Sequence, residues 1–403
     1  MGSDSRKHGG GEEPRFGPGT IEAVMRLRIR ETIERMVEEE LEAALGAGRS
    51  ARTGPARMGY RHGHRARTLT TSLGPATLAM PRARLLAADG STVEWRSVTV
   101  PRYQRRTARV DEAILGVYLS GTNTRRIRGA LGPLLRGGPL SKDAVSRLVG
   151  RLREDFSAWQ QRDLGAETFR YLFLDGWYPK VRIGKQRARV PVLVTLGVRA
   201  DGTRVIVDLR LAGQETAAAW QEVVQALVAR GVRMPAGAVI DGNPGLRAAL
   251  RAQWPGVPIQ RCTNHKGRNL VAKAPAHLRE EVAEDYRRMI YADTQEAVAT
   301  ARAAFRKKWQ RRCPAVVASL DEAGEELFTF TAFPVPQWKA LRTTNALERI
   351  NEEFRRRTKT QASLPSEDAV VLLLFGLLRS GAVNLRRLVG WQAMPMIKEK
   401  EAA

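Results

Sequence analysis

Two short apolar runs in this sequence each lead into an aspartate that is followed by a glycine. Residues 171–174 (YLFL) precede Asp175, and residues 238–240 (AVI) precede Asp241. A short apolar run closed by a polar turn signal predicts a buried strand, so each carboxylate is expected where a strand leaves the core. A single strand that ends in Asp-Gly is usually only a turn. The chemical interpretation therefore depends on the two aspartates acting together with a third acidic group.

The third acidic group is expected in residues 343–357, a segment with the composition of a helix. Glu348, Glu352 and Glu353 compete for this role, and spacing does not separate them, because positions 348 and 352 share one helical face. Carboxylates on two strand ends and a helix suit Mg²⁺, a hard cation that prefers oxygen ligands. A pair of such ions activates a nucleophile and stabilises the leaving oxygen of a phosphoryl displacement. The pattern predicts a Mg²⁺ site for this chemistry, with Mn²⁺ as a substitute.

The charge of the chain predicts a polyanionic partner. The 403 residues include 67 lysines and arginines against 42 aspartates and glutamates, a formal net charge of +25. Nucleic-acid binding is driven largely by phosphate neutralisation and counterion release, which favours double-stranded DNA. An anionic membrane surface is the alternative, but no apolar run approaches the roughly 20 residues that span a bilayer. Two cysteines and no signal peptide favour a cytoplasmic, nucleoid-associated protein.

The N-terminal part is expected to contact DNA or a second copy of the chain. Residues 1–19 are rich in glycine, serine and charge, which predicts a disordered leader. Residues 20–46 have the apolar spacing of an acidic amphipathic helix, which would pack on its own chain or on a second copy. Residues 48–67 are basic and glycine-rich, and are interpreted as a DNA contact or, alternatively, a solvated loop; residues 68–85 predict a hairpin. The DNA-binding candidates of the basic segment are Arg61, Arg65 and Arg67.

Three short helices are predicted between residues 110 and 156, and a glycine at a turn joins them in the manner of a helix-turn-helix module. Thr122 or Asn123 is the expected cap of the second helix. The third helix, at 141–156, would bury its apolar face and turn basic side chains outward. An ordinary helical bundle has the same periodicity, but the basic face favours DNA binding. The candidates on this helix are Lys142, Arg147 and Arg151.

The rest of the chain predicts an α/β fold. Three strands in a meander, followed by two strands linked through helices, give a mixed sheet with both aspartate strands near its centre, which is the order of an RNase H-like catalytic core. Residues 263–342 are expected to form an all-helical insertion, and a helical helix-turn-helix DNA-binding domain would precede the core. The predicted domains are 1–19, 20–109, 110–165, 166–262, 263–342 and 343–403.

Several blocks of the sequence resemble the Mutator-type DDE transposases of the bacterial insertion sequence 256 family. They are YLFLDGWYPKVR at 171–182, VIDGNPGLRAAL at 239–250, IQRCTNHKGRNL at 259–270 and TTNALERINEEFRRRT at 343–358, with further likeness at 60–84 and 121–152. The likeness runs from about residue 22 to residue 391 and is most specific at 343–358. It is weaker between residues 89 and 105.

The resemblance implies that Asp175, Asp241 and Glu348 are the catalytic and metal-binding residues. It implies a transposase that binds the terminal inverted repeats of an element and cuts DNA by Mg²⁺-dependent hydrolysis. The freed 3′-hydroxyl would then attack target DNA, and a homodimer or larger homo-oligomer would hold the two ends. The alternatives are a structure-selective nuclease and a catalytically silent DNA-binding regulator.

The resemblance also implies neighbours for this active site. Cys262 and His265 match a Cys-x-x-His pair of the family, and Asn345 lies in the most specific block. Two residues do not complete a zinc site, so the pair is expected to have a structural or substrate-positioning role. A basic run after the glutamate is expected to hold a phosphate backbone, unless it is a solvated helix end. It consists of Arg355, Arg356 and Arg357.

Overall fold

The structure is a computed structural model that describes residues 18–49, 58–119, 127–135, 140–183, 185–360, 364, 366–381, 383 and 385–394. The described residues form two compact units. The first holds residues 18–118 and 127–148, and the second holds residue 119 and residues 149–394. Most of the predicted leader and the two candidate helix caps Thr122 and Asn123 lie outside the described residues.

The first unit is built on a long helix that packs on a three-stranded antiparallel sheet of order β1-β2-β3. Leu41 and Leu45 of the helix pack against Ala83 of the sheet, so the acidic helix packs on its own chain. The elements up to residue 161, in chain order, are α1 Pro18–Leu45, β1 Gly59–Thr71, β2 Gly74–Leu86, β3 Thr92–Glu94, α2 Ala108–Leu119, α3 Ile127–Ala130, α4 Gly132–Leu135 and α5 Lys142–Gln161. Leu119 of α2 and residues 149–161 of α5 belong to the second unit.

Two predictions in this region change in detail. The hairpin begins at Gly59, so the basic residues that follow it lie on a strand and not in a loop. Among the described residues, the second of the three predicted helices is represented by the four-residue helices α3 and α4. The helix-turn-helix assignment therefore stays a prediction.

The second unit contains a five-stranded mixed sheet, which confirms the predicted α/β class. Its strand order is β10-β9-β4-β7-β8. Strands β4, β7 and β8 are antiparallel neighbours, whereas β4, β9 and β10 run parallel. The elements of this part are β4 Phe169–Trp177, β5 Lys180–Ile183, β6 Gln186–Arg189, β7 Val192–Arg199, β8 Arg204–Leu211, α6 Ala217–Ala229, β9 Gly237–Ile240, α7 Pro244–Gln253 and β10 Ile259–Arg261. The two-stranded ribbon β5–β6 was not predicted.

A continuous apolar core fixes the two central strands. Leu172 and Leu174 of β4 and Ile240 of β9 are fully buried and belong to one cluster with Trp220 of α6 and Leu246 of α7. Burial of such side chains contributes roughly 1.5–3 kcal/mol each. The strand ends that carry the aspartates are therefore held by the best-packed part of this unit.

Helices dominate the remainder of the second unit, as expected for residues 263–342. The helix α14 buries nine consecutive positions, Ala369–Leu377, and packs against β8. No helix in the described ranges is long and apolar enough to cross a membrane. The helices are α8 Thr263–Lys273, α9 Arg279–Ile290, α10 Gln295–Arg312, α11 Pro314–Ala323, α12 Val335–Leu341, α13 Asn345–Thr360 and α14 Asp368–Arg379.

Candidate active site

The two aspartates lie side by side towards the carboxyl-terminal ends of two adjacent inner strands of the mixed sheet. Strands β4 and β9 are parallel, and Leu174 of β4 is paired with Ile240 of β9. Asp175 and Asp241 directly follow these two paired residues and are therefore neighbours. Strand β4 runs through Asp175 to Trp177, whereas β9 ends at Ile240, directly before Asp241. Asp175 is only 7% exposed, and Asp241 is half-buried.

Local turn chemistry fixes the carboxylate of Asp241. The backbone N–H of Asn243 donates to Asp241 Oδ1 at 2.9 Å. The side-chain oxygen of Asn243 caps α7 by accepting from the N–H groups of Gly245 and Leu246 at 2.8 and 3.2 Å. The intervening Gly242 has φ of 107°, a conformation that favours glycine. The sequence Asp-Gly-Asn-Pro therefore places the carboxylate and starts the next helix at once.

A further carboxylate, Glu215, lies between the two aspartate strand ends, and the sequence analysis did not single it out. Its Oε1 accepts hydrogen bonds from Trp220 Nε1 at 3.0 Å and from Asn243 Nδ2 at 2.9 Å. Its Oε2 accepts from the hydroxyl of Tyr178. The helix α6 begins at Ala217, so Glu215 lies in the loop before it. No local motif marks an acidic residue in such a position.

The carboxylates in this region shift each other's protonation. Burial, followed by the charge of Asp241, raises the pKa of Asp175 to about 7, and the charges of Glu215 and Glu348 act in the same direction. Burial and the charge of Glu215 also raise the pKa of Asp241, although the N–H of Asn243 opposes this. At these strand ends, ionised carboxylates therefore destabilise one another unless a cation is present.

Glu348 is the glutamate of α13 whose charge is felt by Asp175. It lies in the first turn of α13, its side chain is 33% exposed, and its Oε1 accepts from Arg268 at 3.0 Å. Glu352 is exposed, and Glu353 pairs with Arg356 at 2.8 Å. Within the described residues, no group of three or more His, Cys, Asp or Glu side chains is already gathered closely enough to hold a metal ion.

Cys262 and His265 form a polar pair beside the aspartates. Cys262 is fully buried, and its Sγ accepts from the N–H and the hydroxyl of Thr344 at 3.3 and 3.4 Å. Burial acts to raise the pKa of Cys262, but hydrogen bonds from His265 and Thr344 outweigh it, so the pKa is lowered. The hydrogen bond with Cys262 raises the pKa of His265 to about 9, and the charges of Asp175 and Asp241 add to this. These effects favour the protonated form of His265.

The same stretch joins α8 to the start of α13. Thr263 donates through its N–H and its hydroxyl to the carbonyl of Arg342, at 2.9 and 3.0 Å. Asn264 Nδ2 donates to Asn345 Oδ1 at 2.7 Å. Asn345, predicted as a neighbour of the active site, is therefore part of the contact that places α13 and the glutamate on it.

The predicted DNA-binding residues of the first unit differ in their surroundings. Arg61 pairs with Glu38 and lies 3.7 Å from Glu42. Arg67 donates to three backbone carbonyls between positions 100 and 104, so its guanidinium braces that loop. Arg65 is exposed. The basic candidates of α5 are also exposed, namely Lys142, Arg147 and Arg151.

Two of the three basic residues on α13 are described in full. Arg355 and Arg356 are exposed, and Arg356 carries the ion pair with Glu353. The side chain of Arg357 lies outside the described part of the chain.

The sequence matches known proteins over most of its length. The model of the family described as "Transposase, Mutator family" matches residues 18–387. The chain is 33% identical over 348 residues to the transposase for insertion sequence element ISRM5 of Rhizobium meliloti (strain 1021), which covers 86% of this chain and 84% of that protein. It is 34% identical over 355 residues to the transposase for insertion sequence element IS406 of Burkholderia multivorans (strain ATCC 17616 / 249), which covers 87% and 88%. The matched family span contains both aspartate strand ends and α13.

Proposed function

Because this chain belongs to the Mutator family of transposases, we propose that it cuts DNA at element ends and transfers the cut strands with Asp175, Asp241 and Glu348. The observation that carries the proposal is the position of the two aspartates, which follow paired residues on adjacent parallel strands. Asp175 is buried and Asp241 is half-buried, and burial raises the pKa of each. Strongly perturbed carboxylates at one edge of a sheet are typical of functional sites.

We further propose that the second unit has an RNase H-like core. In support, three antiparallel strands, β4, β7 and β8, are followed by two parallel strands that are reached through helices. The acidic residues lie at the ends of the first and fourth of these strands. Residues 263–342 then form helices before α13 supplies the glutamate, which agrees with an insertion into that core.

The donor set fits a divalent cation. Within the described residues, the buried carboxylate of Asp175 accepts no hydrogen bond, while the charge of Asp241 raises its pKa. Hard oxygen donors of this kind suit Mg²⁺ or Mn²⁺. Asp175, Asp241 and Glu348 would hold the metal, which supplies the positive charge needed for phosphoryl displacement when it is bound.

Arg268 would act on both Glu348 and the DNA. Its guanidinium pairs with Glu348, yet 63% of its side chain is exposed. Arginine binds carboxylates and phosphates through the same donors. We propose that Arg268 neutralises Glu348 before DNA binds and contacts a backbone phosphate when a cation has taken over that role.

The partners proposed are double-stranded DNA and a second copy of the chain. Transposition joins the inverted repeats of an element to a target, so the protein must hold more than one duplex. The net charge of +25 provides the attraction for this much phosphate. A homodimer or larger assembly would bring the two ends together.

The test replaces each acidic residue by its amide. Asp175→Asn, Asp241→Asn and Glu348→Gln are each expected to lower cleavage of element-end DNA by at least about a hundredfold, because loss even of a metal ligand's supporting partner costs 10–100-fold. Binding of the same DNA, measured by mobility shift, should persist, because no basic residue is removed. Glu352→Gln is the matched control on the same helix and should cleave normally. Full cleavage by any of the three variants would reject the assignment, and loss in the control alone would move the role to Glu352.

A second arm separates strand transfer from hydrolysis. Pre-cut end DNA, a plasmid and Mg²⁺ should give covalently joined products, whereas an end that lacks its 3′-hydroxyl should bind without joining. Ends that are cut but never joined would instead identify a structure-selective nuclease. Specific binding without cutting would identify a catalytically silent regulator.

A further inference from the structure

Glu215 connects the two strand ends that carry the aspartates. It lies between β8 and α6, outside both elements. One of its oxygens accepts from Asn243, two residues after Asp241, and the other accepts from Tyr178, three residues after Asp175. A single carboxylate therefore bridges the segments that follow the two aspartates.

The backbone next to Asp175 is shaped to admit this carboxylate. A Cβ atom built at Gly176 would lie 2.4 Å from Glu215 Oε2, a distance that real Cβ contacts do not reach. Because glycine has no side chain, the carboxylate of Glu215 can approach β4 at the residue that follows Asp175. Gly176, the next-to-last residue of β4, thus has a reason other than a turn.

Capping of α6 does not explain the position of Glu215. Thr216 is already the N-cap, and its hydroxyl accepts from the N–H of Ala219 at 3.1 Å. All three donors to Glu215 are neutral groups, from Tyr178, Trp220 and Asn243. Among the described residues, no lysine or arginine forms an ion pair with Glu215 that would neutralise its charge.

The charge of Glu215 lies close to both aspartates, because its oxygens are held by Tyr178 and Asn243 and approach the backbone at Gly176. A carboxylate that serves only as a hydrogen-bond acceptor destabilises two other carboxylates in this position. The arrangement becomes favourable when a cation is shared by the group, because the added negative charge then strengthens cation binding. Asp175, which is 7% exposed and lies beside Asp241 on the adjacent strand, indicates where such a cation would lie.

We propose that Glu215 is a positioning residue of the cation site, which fixes the spacing of the two aspartate strand ends and adds a further negative charge that draws a divalent cation to them. The inference rests on the proposed function, since it concerns the same group of carboxylates. It adds an acidic residue to the three that the family pattern assigns.

The substitution Glu215→Gln separates the charge from the bridge. The glutamine oxygen is able to accept from Trp220 and Asn243, and its amide is able to donate to the oxygen of Tyr178. We expect the affinity of the full-length protein for Mn²⁺, measured by calorimetry without DNA, to fall about tenfold. The midpoint of thermal unfolding in EDTA should not fall, because packing is kept and repulsion is relieved.

Two further variants make the result decisive. Tyr178→Phe removes one bond of the bridge and keeps the charge of Glu215, so its Mn²⁺ affinity should fall less than that of Glu215→Gln. Asp175→Asn should weaken Mn²⁺ binding at least as much as Glu215→Gln. If Asp175→Asn weakens binding and Glu215→Gln does not, the role of Glu215 is overturned while the proposed centre stands. If neither weakens binding, the cation site itself lies elsewhere, and both proposals fail.

Discussion

At the scale of single residues, the candidate site concentrates negative charge where it is costly to the folded protein. Burial and the neighbouring Asp241 raise the pKa of Asp175 to about 7, whereas an aspartate in an unfolded chain ionises near about 4. Between these values the folded state holds a proton that the unfolded state has lost. Stability of the metal-free protein therefore falls as the pH rises through this window. Such a cost is typical of active sites, where function and stability conflict.

Asp175→Asn should therefore stabilise the metal-free protein at pH 8. The amide is neutral at every pH, so the gain should be up to about 4 kcal/mol above the folded pKa and should vanish near pH 4, where both side chains are uncharged in the folded state. The measurement is the thermal unfolding midpoint of both proteins in EDTA at the two pH values. Mg²⁺ should raise the midpoint of the unaltered protein and not that of the variant.

A matched control is Asp293→Asn, which alters an exposed aspartate. It should change the midpoint little at either pH. A difference between Asp175→Asn and the unaltered protein that is the same at pH 4 and pH 8 would show that ionisation of Asp175 is not the cause.

At the scale of elements, one junction sets the position of α13 relative to the sheet. The N–H of Cys262 donates to the carbonyl of Ile240 at 2.7 Å, directly before Asp241. The sulfur of the same residue accepts from Thr344, directly before α13. Phe354 of α13 packs on Trp177 of β4, with ring centroids 5.7 Å apart. A single buried cysteine thus links the strand of the second aspartate to the helix that carries Glu348.

Cys262→Ala should therefore slow catalysis but leave DNA binding unchanged. It leaves the buried N–H and hydroxyl of Thr344 without their acceptor, which costs about 1–3 kcal/mol, and it loosens the start of α13. We expect lower thermal stability and slower cleavage of element-end DNA with unchanged DNA binding. Cys262→Ser, which keeps an acceptor, should lose less.

The other cysteine supplies the comparison. Cys313 is also buried, but its sulfur contacts only the carbonyl of Lys273 at 3.8 Å among the bonds of the described residues. Cys313→Ala should cleave as the unaltered protein does. Equal cleavage by Cys262→Ala and Cys313→Ala would exclude a positioning role for Cys262.

At the scale of the whole molecule, the excess of basic residues is the dominant property. Many arginines are already paired with carboxylates, including Arg302 with Glu325 and Arg306 with Asp321. The helix α5 buries an apolar face that includes Leu148 and presents exposed basic side chains on the other face. Surface charge of this kind binds phosphate at a strength that depends on salt.

Replacing Lys142, Arg147 and Arg151 together by alanine should weaken DNA binding and reduce its salt dependence. Each phosphate contact adds about 0.9 to the slope of log K against log salt concentration, so the slope should fall by up to about 3. Fluorescence anisotropy with element-end DNA at several salt concentrations measures it. The variant Arg302→Ala/Arg306→Ala, in which two paired arginines are lost, should change the slope less. Equal changes in both variants would place the contact elsewhere than α5.

The sequence alone determined the features that depend on neighbouring residues. The alternation of apolar runs and turn residues gave both aspartate strands and the mixed sheet around them, because strand formation and turn chemistry are local. The block at 343–358 gave the family, which the match over residues 18–387 confirms. Composition gave the excess of positive charge.

Only the tertiary structure decided which of these residues meet. The parallel pairing of β4 and β9 brings Asp175 beside Asp241 although four other strands and a helix lie between them along the chain. The contact of Cys262 with Thr344 joins positions 82 residues apart. Glu215 carries no local signal, because its role arises from the packing of the loop before α6 against two strand ends. Arg67 was expected on DNA, yet it braces backbone carbonyls that only the folded hairpin brings within reach. Side-chain roles of this kind depend on contacts between distant segments, which periodicity and propensity do not encode.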